Sequence, residues 1–208
     1  MTDETGAGAR EPAPTCRTGL TVEVGPRAPV RARKDPTMTR ALVVYESMFG
    51  NSEQVARAVA AGAGEVLEVD LVEVTDAPAD LGGYAVVVVG GPTHAFSMSR
   101  ATTRRDAREQ GATHGSVGEG LREWLGALPD QDLHPWFATF DTRVTKVRHL
   151  PGSAARSAAR SARRHGMREV VAPESFFVED VDGPLADGEL ERALAWGRDV
   201  ASAVPVAA

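Results

Sequence analysis

The chain has 208 residues, a single cysteine, 42% hydrophobic residues and a formal net charge of −6. That length suits one domain with a substantial core, and the longest apolar run, Tyr84 to Val89, is far too short to cross a bilayer. A lone Cys16 allows neither an internal disulfide nor a cysteine-based zinc site, so a soluble α/β domain in a reducing cytoplasm is the expectation.

Residues 1–37 carry Pro12, Pro14, Pro26, Pro29 and Pro36 among scattered glycine, threonine and mixed charge, and only Leu20 to Val24 hints at a strand. The composition predicts a disordered or non-native extension, with Met38 as an alternative start and the folded domain over 38–208. Asp3, Glu4 and Glu11 break any secretory or transit pattern.

Ala41 to Tyr45 is a continuous apolar run of the kind found in a parallel strand covered on both faces. It stops at Glu46. Ser47, Gly50, Asn51 and Ser52 then supply hydroxyls, a permissive glycine and a helix start, and Val55, Ala58, Val59 and Gly62 follow at helical spacing. A strand feeding such a turn aims backbone N–H groups and the positive end of a helix dipole at one spot, which suits a terminal monophosphate. The alternative is that Ser and Asn only cap the helix. Neither G-x-x-x-x-G-K-[ST] nor G-x-G-x-x-G occurs here, so a nucleoside-triphosphate loop and a dinucleotide fingerprint are both unsupported.

Val66 to Val74 predicts an edge strand, and Tyr84 to Gly90 an apolar central one. The loop Gly90-Gly-Pro-Thr-His-Ala-Phe-Ser-Met-Ser99 combines backbone freedom with one aromatic. His94 is either a proton relay or a surface residue, and Phe96 either covers a ligand or plugs the core. Arg100 to Gly118 is a long polar insertion, either a functional lid or disordered. Its Arg104, Arg105 and Arg108 either meet an anion or are solvated. Val117 to Leu128 predicts an amphipathic helix with Trp124 in the core. His134 to Phe140 predicts the fourth strand, followed by Asp141, Thr142 and Arg143 in a loop. Ser153 to Arg164 predicts a helix with paired alanines on one face and Arg156, Arg160, Arg163 and Arg164 on the other. An interrupted fifth strand (169–171 and 175–178) and a closing helix over Leu185 to Val204 complete the chain.

Charge is uneven. Thr142 to Arg168 holds eight basic residues and no acidic one, whereas Glu169 to Asp199 is acidic. The two runs are either oriented docking surfaces or solvated faces.

Two stretches carry a resemblance. Tyr45-Glu-Ser-Met-Phe-Gly-Asn-Ser52 resembles the FMN-phosphate loop of flavodoxin-like proteins, and Ala85 to Met98 resembles that family's third strand and first flavin-contacting loop. The resemblance implies a doubly wound, five-stranded parallel sheet of order 2-1-3-4-5 with helices on both faces. It further implies FMN held by Ser47, Met48, Phe49, Gly50, Asn51, Ser52, Gly91, Pro92, Thr93, His94, Phe96, Asp141, Thr142 and Arg143. In this picture Gly90 and Gly91 admit a planar ligand, Thr93 bonds its rim, and Phe96 or Met98 covers its face. The family's usual tyrosine after the fourth strand is missing; only His149 and Leu150 stand there.

The implied function is electron transfer through FMN, with a redox protein or NAD(P)H/quinone as partner rather than nucleic acid. The alternatives are an FMN-dependent NAD(P)H or quinone oxidoreductase, suggested by Ser47-Met-Phe-Gly50, and a flavin-free signalling or interaction domain.

Overall fold

The computed structural model describes residues 39–129 and 135–205. The expectations for residues 1–37, including Leu20 to Val24 and Cys16, lie outside the described residues, as does His134.

Strand β1 (Arg40–Tyr45) buries Ala41 and Val43 on one face and Leu42 and Val44 on the other, which is why its sequence is apolar without alternation. Its parallel neighbours are β2 (Glu68–Glu73) and β3 (Val86–Pro92), and β4 (Trp136–Val144) pairs with β3 in turn. Beyond β4 come two short strands, β5 (Arg168–Glu169) and β6 (Glu174–Val178), which pair with its first and second halves respectively. The order is therefore β2-β1-β3-β4-β5, with β6 also on β4, all parallel. The sixth strand is the second half of the interrupted fifth strand that the sequence predicts.

Helices α1 (Asn51–Ala63) and α5 (Glu189–Ala203) cover one face, burying Val55, Val59, Trp196 and Val200 against Val43, Val88 and Phe140. Each such side chain, fully buried, contributes roughly 1.5–3 kcal/mol. Phe140, Phe176 and Trp196 meet edge to face with centroids 6.0–6.1 Å apart. On the opposite face, α3 (Leu121–Ala127) sets Leu121, Trp124 and Leu125, and α4 (Ala154–Arg164) sets Ala154, Ala158, Ala159 and Ala162, against Leu42, Val87, Val89 and Phe137. The alanine face of α4 is the one the sequence predicts. Trp124 is core as expected, its indole N–H donating to the Pro78 carbonyl at 3.1 Å.

Several boundaries move. Val74 to Asp76 is a 3-10 turn rather than the end of β2, and α3 starts at Leu121, four residues after Val117, because Gly118 to Gly120 pass around the Arg104 side chain. The closing helix starts at Glu189 rather than Leu185, and Leu190 in its first turn is 40% exposed. Strand β4 extends through Asp141, Thr142 and Arg143 to Val144, since β3 and β6 supply backbone partners on both sides there.

The largest correction concerns Arg100 to Gly118. It contains helix α2 (Ala101–Glu109) and is not a disordered insertion. Arg104 is 0% exposed, so solvation is excluded for it: its guanidinium donates to Ser99 Oγ at 2.8 Å and to the Val117 and Gly118 carbonyls at 3.0 Å, and pairs with Glu123 at 3.1 Å. Arg108 closes the following turn on the Ala112 and Gly115 carbonyls. No helix among the described residues is long and apolar enough to cross a membrane.

Candidate functional site

The strand order turns back between β1 and β3, and in an open parallel sheet a ligand crevice forms beyond the carboxyl ends of the strands at such a point. A cavity of about 90 Å³ lies there. Its walls come from the turn after β1 (Ser47, Met48, Phe49, Asn51, Ser52), the end of β3 (Pro92, Thr93, His94), the end of β4 (Thr142, Arg143, Val144), Val178 and Val181.

The turn is built for backbone donors. Gly50 adopts φ 86°, a left-handed conformation that glycine reaches at little cost, and its N–H donates to Ser47 Oγ at 3.1 Å. No side chain caps α1. Ser47, Asn51 and Ser52 therefore do not act as caps: the Asn51 amide donates to the Asp182 carbonyl at 3.1 Å, and Ser52 Oγ lies 2.6 Å from Thr142 Oγ1. The first-turn N–H groups of α1 are capped by no side chain, and the buried hydroxyls of Ser47, Ser52 and Thr142 line the cavity beside them, a donor set that suits a phosphate.

From behind, the turn is braced by the 100–118 stretch. Met48 is buried against Ala107 and Ala112 with Phe49 beside it, and the His114 N–H donates to the Met48 carbonyl at 3.1 Å. Beneath it Glu46 is buried and accepts from the Leu121 N–H at 2.9 Å. Burial raises the Glu46 pKa, opposed by Ser99, the Leu121 amide and the Arg104 charge.

Of the fourteen residues expected at the site, ten line the cavity: Ser47, Met48, Phe49, Asn51, Ser52, Pro92, Thr93, His94, Thr142 and Arg143. Gly50 shapes the turn without lining it. Gly91 is buried and does not line the cavity; a Cβ there would press on Leu121 and Glu46, and a Cβ on Gly90 would land inside the Phe140 ring. On their Cβ side these glycines make room for core side chains. Asp141 is fully buried and accepts from the Ala155 N–H at 2.9 Å, and Thr93 Oγ1 accepts from the Ala154 N–H at 2.8 Å, so both anchor the start of α4. The Thr142 carbonyl is taken by the Thr93 N–H at 2.9 Å. Arg143 turns inward to the Val147 and Leu150 carbonyls at 2.7 and 3.1 Å and is not part of a surface charge run.

Phe96 neither plugs the core nor lines the cavity. It is 48% exposed at the tip of a tight turn closed by His94 and Ser97, with φ 45° at Ala95 and 63° at Phe96. Left-handed backbone at two non-glycine residues costs of order 1–3 kcal/mol each, a local strain concentrated beside the cavity. Met98 is in the core. His94 is half-buried, and burial followed by the nearby Arg104 charge lowers its pKa below the ordinary 6.5.

Val144, Val178 and Val181 are wall residues that sequence reasoning misses: two sit on strands that look like plain core, and Val181 is brought in by the 179–188 loop that Asn51 holds. A second cavity of about 220 Å³ shares Phe49, Thr93, His94 and Val181 and is walled on its far side by Thr103, Asp106 and Gln110.

An open parallel sheet with a hydroxyl- and amide-lined crevice at its switch point defines a doubly wound α/β fold. The fold is flavodoxin-like, and residues 43–121 match the flavodoxin family model. Its fold is similar to that of a flavodoxin from the domain Archaea (20% identity, 80% of this chain and 99% of that one covered, TM-score 0.56) and of flavodoxin 2 from Bacillus cereus (18%, 79% and 99%, 0.59). A short-chain flavodoxin associated with a non-canonical PDU bacterial microcompartment is also similar (15%, 81% and 100%, TM-score 0.58). At these identities the structural likeness concerns the fold. A comparison of the sequence with curated proteins finds no match.

Proposed function

We propose that this protein binds FMN non-covalently and passes electrons through it to a redox partner. The observation that carries the reading is the α1 turn, where Ser47, Ser52 and uncapped first-turn amides converge on a cavity at the switch point. The residues fit the group. Ser47 and Ser52 with the first-turn amides hold the phosphate, with Thr142 keeping Ser52 oriented from 2.6 Å away. Phe49, Val144, Val178 and Val181 form apolar walls that exclude water. Bound FMN supplies one- and two-electron redox chemistry. His94, its pKa lowered by burial, is neutral at pH 7 and keeps one ring nitrogen as a hydrogen-bond acceptor. Asp106, in the wall of the adjoining cavity, adds negative charge that disfavours electron addition to a ligand there.

A second reading, an FMN-dependent NAD(P)H or quinone oxidoreductase, draws on that adjoining cavity, which α2 walls and which has room for a second reactant. A yellow absorption band in the purified protein is expected under both readings, and NAD(P)H turnover separates them. Replacing Ser47 and Ser52 together by alanine removes two hydrogen bonds to a charged phosphate, each contributing about 1.5–3 kcal/mol, so FMN affinity should fall at least about tenfold per bond lost. Unchanged affinity in a fluorescence titration would take this turn out of the site.

A further inference from the structure

Between α3 and α4, outside the FMN crevice, lies a cavity of about 230 Å³ lined by Ser97, Arg122, Ser157, Arg160, Ser161 and Arg164, with Met98 and Gly126 completing it. No carboxylate lines it. Among the described residues, none of these three arginines pairs with an acidic side chain, in contrast to Arg163, whose partner is Glu169.

The hydrogen bonds leave donors over and acceptors used up. Arg122 donates to the Ser99 carbonyl at 3.0 Å, the Met98 carbonyl at 2.8 Å and Ser97 Oγ at 3.0 Å. Ser97 Oγ donates to Ser157 Oγ at 3.0 Å, and Ser157 Oγ also accepts from Arg160 at 2.9 Å. The Ser157 hydroxyl hydrogen therefore has no acceptor in this chain of contacts, and the Arg160 and Arg164 guanidiniums keep most of their five donors. Arginine stays charged at every physiological pH, so the cavity cannot relieve itself by losing protons. An acceptor-only anion of double charge answers this demand, and the forked geometry of arginine matches phosphate oxygens two at a time.

We infer that this α3–α4 cavity is a second binding site, separate from the FMN crevice, for the phosphate group of a small phosphorylated molecule. Arg122 is its fixed wall, held by residues 97–99; Arg160 and Arg164 are exposed side chains at its mouth that reach the ligand. The inference does not depend on FMN binding.

The test is titration calorimetry of the full chain with inorganic phosphate, at fixed ionic strength set by sodium chloride. The Arg160→Ala plus Arg164→Ala variant and the Ser47→Ala plus Ser52→Ala variant are run alongside wild type. Both arginines are exposed, and a thermal melt checks that their loss leaves the fold intact. Saturable binding weakened at least about tenfold by the arginine pair and retained by the serine pair is the expected result. Absence of saturable binding in wild type, equal affinity in the arginine variant, loss confined to the serine variant, or an equal response to acetate would each overturn the assignment.

Discussion

Replacing Arg104 by methionine tests the most consequential packing feature around the site. The guanidinium is fully buried and holds Ser99, Val117 and Gly118 through three hydrogen bonds of 2.8–3.0 Å, while its charge faces Glu123 directly and the buried Glu46 nearby. Three bonds from a charged donor, at about 1.5–3 kcal/mol each, sum to roughly 4.5–9 kcal/mol. That sum overcounts. Bonds made by one side chain are not additive, methionine refills much of the volume, and Gly118 is an exposed residue whose carbonyl can turn to water. Removing one partner of a buried charge pair costs about 3–5 kcal/mol; the Glu123 partner is 38% exposed, so a loss near the lower end, about 3 kcal/mol, is expected. Urea denaturation followed by circular dichroism measures it. Because the damage comes from stranding Glu46 as well as from lost bonds, adding Glu46→Gln should recover part of the stability. A loss below about 1 kcal/mol, or a double variant at the simple sum of the singles, would refute the coupling of α2 to the strand that carries the turn.

Two further outcomes follow from the same geometry. Gly90→Ala places a methyl inside the Phe140 ring, so the ring must leave its edge-to-face set with Phe176 and Trp196; a loss of about 3 kcal/mol is expected, relieved in part by Phe140→Ala in a double-mutant cycle. Additivity there would mean that the strand accommodates the methyl elsewhere. For Glu46, burial sets the folded pKa above the unfolded value of about 4.3. Between those two values the folded chain keeps a proton that the unfolded chain has lost, so stability falls as pH rises through that window. Urea midpoints from pH 4 upward should fall less steeply in Glu46→Gln than in wild type, and parallel curves would remove Glu46 as the source.

The central elements were legible because their signals are local. A strand buried on both faces must be apolar throughout, as Ala41 to Val44 and Val86 to Val89 are, and a helix laid closely on a sheet needs the small-residue face of Ala154 to Ala162. The turn of Ser47 to Ser52 is likewise a local pattern. Long-range pairing was not legible in the same way. What Gly90 packs against, whether Asp141 to Arg143 form loop or strand, and whether Arg104 faces water or interior backbone carbonyls each depends on residues elsewhere in the chain. A run of charges looks the same in sequence whichever way each member points. Only the fold separates Arg143, turned inward onto backbone carbonyls, from Arg160 and Arg164, which remain at the surface with donors to spare.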